Sequence, residues 1–467
     1  MQIEQIYTGC LAQGAYYITS GKEAAIIDPL REIQPYLDRA KRDGVEIKYI
    51  FETHFHADFV SGHIDLAKAT GAKIIYGPTA ETKYDVHVAT DGELFPLGDV
   101  QFKILHTPGH TLECSCFVLL NKEGKEHAVF TGDTLFIGDV GRPDLAQKVA
   151  TLTQEELAAM LFTSLREKVM TLPDDTIVYP AHGAGSACGK NMSKETVSTI
   201  GEQKKTNYAL REDMTQEEFV KEVTDGLKPP PAYFPMNVAM NKDGYDAITE
   251  VMDRGMRSLN AEAFEAAANE TNALLLDTRN PEDFAKAYIP NSINIGLNGG
   301  FAPWVGALIP NVKQEILLIA DQDKAEEAVT RLARVGFDHV IGYLEGGIEA
   351  WKNANKEIDT IERYTPEDLQ AKFNEEGSEI IDVRKCSEYS AGHITGVKNI
   401  ALDDINEQLA SFPKDKKLIL HCKGGYRSMI AASILKARGW STIADVMGGF
   451  DQIQKLDLPF TKNTEIV

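Results

Sequence analysis

Two imidazoles and a carboxylate, His54, His56 and Asp58, stand close together in the segment Thr53-His54-Phe55-His56-Ala57-Asp58-Phe59. Ring nitrogens and a hard oxygen at such spacing suit a divalent metal. Three later segments each offer one more donor: Thr107-Pro108-Gly109-His110-Thr111, Phe130-Thr131-Gly132-Asp133-Thr134 and Tyr179-Pro180-Ala181-His182-Gly183. In each, the His or Asp follows an apolar run and sits beside Gly or Pro, where a tight turn can expose a ligand. A different chemistry is offered near the C-terminus. Leu418-Ile419-Leu420-His421-Cys422 reads as a strand, and Lys423-Gly424-Gly425-Tyr426-Arg427-Ser428 as the loop that opens a helix. Loop amides and a helix N-terminus converging on Cys422 favour thiolate over thiol. The same amides, with Arg427, could stabilise a persulfide or a sulfur oxyanion.

The elements that must carry these residues follow from hydrophobic periodicity. Residues 1 to about 200 alternate short apolar runs with amphipathic segments. Strands are expected at Ala24–Ile27, Tyr49–Phe51, Lys73–Gly77, Phe102–His106, Cys116–Leu120, Ala128–Thr131 and Ile177–Tyr179, and a helix over Ile33–Asp43. Thr215–Leu227 predicts a helix with a Thr-x-x-Glu start. The prolines from Pro229 to Pro235 predict an extended strap that continues through Asn237–Asn241 and packs on the first domain, walling a substrate pocket. Beyond residue 258 the chain repeats itself. Asp277 and Asp382, each in an Asp-x-Arg segment, are 105 residues apart, as are Ile295 and Ile400; the Gly-Gly turns at Gly346 and Gly448 are 102 apart. Two α/β units follow, with helices expected at Ala325–Val335 and Ser428–Arg438. The first has no cysteine, its strand Glu315–Ala320 running into Asp321-Gln322-Asp323, so it is expected to be catalytically silent.

The His-x-His-x-Asp segment, the distal His, the Asp and the last His, in that order over about 130 residues, resemble the metallo-β-lactamase superfamily. The resemblance implies an αββα sandwich with ligands on loops along one edge. Its dinuclear hydrolases, such as glyoxalase II, carry His directly after the Asp of the first motif; here that residue is Phe59, which cannot ligate. The persulfide dioxygenase branch is therefore the better match. It holds one iron by two His and one Asp, which on this chain are His54, His110 and Asp133. Such a triad leaves positions for O2 and a sulfur substrate. His56, Asp58 and His182 would then orient ligands or waters. The Gly- and Asp-rich loop from Leu135 to Leu145 also recurs in that branch; its Arg142 could fork onto a substrate carboxylate, or equally pair with Asp139 or Asp144. Relatives place Asp-Tyr after the last His, where this chain has Gly183-Ala184; Cys188, in the following Gly-rich loop, could gate the site or carry sulfur.

The Asp-x-Arg segments, the Gly-His-Ile stretch at Gly392 and the Gly-Gly turns resemble the rhodanese family. A phosphatase also surrounds Cys and Arg with a loop, but its loop places five residues between them; four lie between Cys422 and Arg427, the size that suits sulfur transfer. The expected architecture is thus an α/β chain: a metallo-β-lactamase-like domain at 1–257 including the strap at 229–241, a rhodanese-like domain without its cysteine at 258–360, and a competent rhodanese domain at 361–467.

Bulk properties agree. The 467 residues suggest about three domains. With 48 basic and 70 acidic residues and a net charge of −22, nucleic acid and anionic membranes are excluded as expected partners. No apolar run is long enough to span a bilayer and no signal segment opens the chain; six cysteines without a disulfide framework fit a reducing cytoplasm. Together the two resemblances imply one Fe(II) per chain, with zinc as the substitute. A low-molecular-weight thiol persulfide (of glutathione, coenzyme A or a similar carrier) would be oxidised by O2 to sulfite, with sulfane sulfur moved through Cys422 to form or use thiosulfate. A homo-oligomer is expected, as is common for such enzymes. The alternatives are a dinuclear zinc thioester hydrolase of the glyoxalase II type, and a non-catalytic sulfur carrier or sensor.

Overall fold

The computed structural model describes residues 1–145, 152–227, 229–373 and 375–462. The chain divides into two compact units, 1–248 with 333–336, and 249–332 with 337–467.

In the first unit two six-stranded sheets lie face to face. One runs Gln2–Thr8, Gln13–Ser20, Glu23–Ile27, Glu46–Glu52, Lys73–Tyr76, His87–Val88 in chain order. The other runs Ser198–Thr199, Ile177–Pro180, Glu126–Gly132, Ser115–Leu120, Val100–His106, Leu94–Leu97. Period-2 alternation assigns the faces. Ala25, Ile27 and Phe51 meet Phe102, Phe117 and Phe130 between the sheets, while Ala24, Ile26 and Ile50 pack outward with Tyr36 and Leu66 of the covering helices. On the opposite side Val118, Val129 and Val178 pack with Leu157, Leu161 and Phe219. This is the αββα sandwich expected. Glu23–Ile27, Glu46–Glu52 and Lys73–Tyr76 run parallel, and so do Val100–His106, Glu126–Gly132 and Ile177–Pro180, since the two outer pairings of the last three are antiparallel through Ser115–Leu120 and then parallel. Each set therefore delivers its C-terminal ends to one edge.

Expected helices are found at Gln34–Asp43 and Gln216–Thr224, the latter with a capping box between Thr215 and Glu218. The strap is a correction: Phe234–Asp243 is an α-helix. Pro235 falls in its first turn, where the missing N–H has no helical partner to lose, and no proline follows it. Only 229–233 remains outside regular helix.

The second unit holds two five-stranded parallel sheets of the same order. The first is Ser258–Leu259, Val340–Leu344, Ile316–Ile319, Leu274–Asp277, Ile293–Asn294; the second is Glu362–Tyr364, Ile443–Val446, Lys417–His421, Ser378–Asp382, Lys398–Asn399. The repeat extends to side chains. Arg279 forks onto Asp277 and reaches the carbonyl of Ala287; Arg384 forks onto Asp382 and reaches that of Gly392. These buried pairs close the strand-to-helix turn in both copies. Among the described residues no helix is long and apolar enough to cross a membrane.

Candidate metal centre and cysteine loop

The two strand edges of the sandwich bring the donors together. His54 follows Glu46–Glu52; His110, Asp133 and His182 follow three strands of the other sheet. His54 Nε2 lies 3.8 Å and His110 Nε2 3.4 Å from Asp133 Oδ2, all three side chains being buried. His110 Nε2 and Asp133 Oδ2 have no hydrogen-bond partner. Buried polar atoms are seldom left so, and these two converging with a nitrogen of His54 fit a metal ion.

Their surroundings fix the chemistry of each donor. The Arg142 carbonyl can only accept, so its 2.8 Å contact puts the proton on His110 Nδ1 and leaves Nε2 as the ligand atom. Thr53 Oγ1 donates to Asp28 Oδ2 and thus accepts from His54 Nδ1 at 3.0 Å, freeing His54 Nε2. Burial, with His56 beside it, holds the His54 pKa well below the usual histidine value, so the ring is neutral. Burial opposes ionisation of Asp133, but the charge of His182 outweighs it and keeps the carboxylate ionised. Gly141 is required by close approach: a Cβ there would lie 1.9 Å from the Asp133 carbonyl and 3.0 Å from His110 Nδ1.

His182 bridges two carboxylates, Nδ1 to Asp133 Oδ1 at 2.7 Å and Nε2 to Asp58 Oδ2 at 2.8 Å. Burial disfavours its charge, yet Asp133 and Asp58 together raise its pKa well above the ordinary value. It steadies Asp133 from behind. His56 groups with Asp28 and Glu52 instead, its Nε2 3.1 Å from Asp28 Oδ1. The fully buried Phe59 ring lies 4.3 Å from the His56 ring and 6.5 Å from that of His182. Cys188 places its sulfur with Asp58 and His182, all donor atoms within 4.8 Å of one another; burial and those carboxylates push its thiol pKa up. Arg142 forks onto Asp144 at 2.6 and 2.7 Å and also reaches the Ala187 carbonyl, so of its two expected partners the internal one is engaged.

Three positioning residues carry no sequence signal of this role. Asp28 accepts from the Thr53 amide and hydroxyl; its place at a strand end beside Pro29 was the only hint. Glu113 Oε1 accepts from the Phe55 amide at 2.9 Å. Asn241, on the helix that replaces the strap, donates to the carbonyls of His56 and Phe59 and accepts from the Ser61 amide. Beside the motif lies a cavity of about 330 Å³ whose walls include Phe55, Ala57, Thr111, Glu113, Val238 and Lys242.

In the second unit Cys422 ends the strand Lys417–His421 and is buried. Gly425 N–H points to its sulfur at 3.1 Å, the residue turning at φ 98° before the helix Tyr426–Ala437. The Gly-Gly turn packs under the loop: a Cβ on Gly449 would lie 2.4 Å from the Cys422 carbonyl, which accepts from Phe450 N–H. Ser428 Oγ is 3.5 Å from the sulfur but 2.6 Å from Asp445 Oδ1, so its proton goes to the carboxylate. Lys423 and Gly424 are exposed at the loop tip. Arg427, expected to face a sulfur oxyanion, is instead forked onto Glu388 at 2.6 and 2.8 Å. The equivalent of Cys422 in the first repeat is Ala320, since Asp382 pairs with His421 and Asp277 with Ile319.

The αββα sandwich carries its candidate metal-binding residues at one edge and is followed by two parallel-sheet repeats. Residues 8–182 match the metallo-beta-lactamase superfamily, and 260–354 and 365–456 each match the rhodanese-like domain. The chain is similar to a solved metallo-beta-lactamase from Staphylococcus aureus, 31% identical with a TM-score of 0.64, covering 74% of this chain and 98% of that one. It is 33% identical over 203 residues to the human mitochondrial persulfide dioxygenase ETHE1, covering 43% of this chain and 70% of that protein. It is 34% identical over 180 residues to a probable hydroxyacylglutathione hydrolase of Schizosaccharomyces pombe, covering 38% of this chain and 65% of that protein. The chain belongs to the metallo-beta-lactamase superfamily and carries two rhodanese-like domains.

Proposed function

We propose that this protein is a persulfide dioxygenase with a built-in sulfurtransferase. The observation that carries the reading is the donor set: two imidazoles and one carboxylate converge, while Phe59 stands at the position of a further ligand. Ferrous iron held by His54, His110 and Asp133 would supply the redox chemistry that lets O2 react with a sulfur substrate. The chain's own residues orient and exclude. The Arg142 carbonyl and Thr53 hold both imidazoles in the ligating tautomer, His182 holds Asp133, and Phe59 and Phe136 keep the surroundings dry. The cavity beside Phe55 and Ala57 receives the carrier thiol, with Val238 and Lys242 of the helix as its wall.

The overall oxidation is RSSH + O2 + H2O giving RSH, sulfite and two protons. At Cys422 the thiolate attacks the sulfane sulfur of a persulfide, releasing RSH and leaving an enzyme persulfide; sulfite then takes that sulfur as thiosulfate and returns the thiolate. The Gly425 amide steadies the charged sulfur at both stages. The test is oxygen uptake by iron-loaded protein given glutathione persulfide, beside a Cys422→Ser variant. Uptake in both, with sulfite accumulating in the variant and thiosulfate in the parent, is expected. No uptake with glutathione or coenzyme A persulfide at full iron occupancy would overturn it.

A second reading has its own observation. Asp58, His182 and Cys188 form another donor group, which supports a two-metal zinc thioester hydrolase; the S. pombe relative is named a probable hydroxyacylglutathione hydrolase.

A further inference from the structure

The first rhodanese-like repeat lacks a nucleophile, yet its loop at Gly296–Gly300 touches the catalytic loop of the second. The Tyr426 hydroxyl donates to the Gly296 carbonyl at 2.7 Å. Its ring lies where a side chain on residue 299 would stand: a Cβ on Gly299 would be 2.5 Å from both Cε2 and Cζ of Tyr426. The glycine loop is rigidly held in turn. Arg331, a buried side chain of the first repeat, donates to the carbonyls of Leu297 at 2.7 Å and Gly299 at 3.2 Å. Two turns along the helix that Tyr426 opens, Ser433 Oγ accepts from the Asn294 amide at 2.9 Å. The repeat offset of 105 puts Ala401 and Asp404 where the first copy has Gly296 and Gly299, so the two glycines are peculiar to the copy that receives the ring.

Tyr426 directly follows Gly425, whose N–H meets the Cys422 sulfur at 3.1 Å. The seat thus fixes the rotation of the helix start and with it the aim of that amide. We propose that the cysteine-free repeat is a positioning element for Cys422, with Gly299 as the socket and Tyr426 as the positioning residue that fits it. The inference rests on the reading of Cys422 as the sulfur-transfer nucleophile, but its geometry does not. A Gly299→Ala wedge must push the ring, and the loop with it; a 1 Å misplacement in a preorganised site costs on the order of a hundredfold. Tyr426→Phe keeps the ring and loses one hydrogen bond, a milder change in the same direction.

The experiment uses the full-length chain with both substitutions. The rate of Cys422 alkylation by iodoacetamide is followed against pH by peptide-resolved mass spectrometry, together with anaerobic thiosulfate formation from persulfide and sulfite, and thermal melting. Gly299→Ala should move the alkylation profile up by roughly half a pH unit or more, and lower thiosulfate turnover about tenfold or more, while oxygen uptake at the metal centre is unchanged. Tyr426→Phe should move both in the same direction by less, and it carries the test alone if Gly299→Ala does not fold. An alkylation profile that coincides with the parent's in the folded variants overturns the proposal. A parent that makes no thiosulfate would instead sink the sulfur-transfer reading, and the alkylation profile would still decide the socket.

Discussion

Replacing Asn241 by Ala should damage the metal centre from a helix that contains none of its ligands. The fully buried amide makes three hydrogen bonds, at 2.8 Å to His56 O, 2.8 Å to Phe59 O and 2.9 Å from Ser61 N–H. Those three groups are backbone atoms of the loop that carries His54, His56 and Asp58, and truncation strands them away from water. At about 1 kcal/mol for each bond, with any penalty for the orphaned groups added, the loss is about 3 kcal/mol or more. For a unit of this size that lowers the melting temperature by roughly 6–12 °C. The freed loop should also release metal, by about tenfold in affinity, as expected when a group supporting the ligands is removed. Asn241→Asp should be worse than Ala, because it keeps an acceptor for Ser61 but sets an oxygen against two carbonyls. Calorimetric unfolding of the apo- and iron-loaded proteins, with a chelator competition, measures both effects. A melting temperature within about 2 °C of the parent's, with an unchanged chelator midpoint, would refute the reasoning.

Other expectations follow from the same contacts. Asp133→Ala should abolish iron retention, read by metal analysis of the purified protein, because it removes a ligand and the partner that holds His182. Phe59→His should let the chain take up a second metal beside Asp58 and His182, seen as a rise in zinc bound per chain; unchanged stoichiometry would contradict the role given to Phe59. Burial raises Asp445 to about 6 from 3.8, against the hydrogen bond from Ser428 and the charge of Arg363. The folded state therefore favours the neutral acid, and stability present below about pH 4 is lost as pH rises to about 6, by up to about 3 kcal/mol. Asp445→Asn removes that titration, so its melting temperature relative to the parent's should climb between these pH values and then level; a constant difference would show that Asp445 does not titrate there.

Much of the first unit was legible because its strands are short apolar runs bounded by turn residues. Short apolar runs at Ala24–Ile27 and Ala128–Thr131 mark buried strands, and His54, His110, Asp133 and His182 each announce themselves by following such a strand into a turn. The repeat was legible for the same reason, since Asp277 and Asp382 close the same turn with the same arginine fork. What escaped depends on contacts between residues far apart in the chain. Asn241 meets His56 across 185 positions, and nothing local marks it. The helix Phe234–Asp243 was hidden by prolines that stop helices in their interior but start them well. The loop alone marks Arg427 as an anion ligand; Glu388, from a different helix, competes for its fork. Tyr426 carries no local mark of its seat, because the socket lies in the other repeat.

The central claim is that the triad supports oxidation rather than hydrolysis. The most direct measurement gives one iron-loaded preparation and one zinc-loaded preparation two substrates each, glutathione persulfide with dissolved O2 and a glutathione thioester. Consumption of O2 with persulfide by the iron form alone, and no thioester cleavage by either, is the predicted result. Rapid thioester hydrolysis by the zinc form, with no O2 uptake by the iron form, would contradict it.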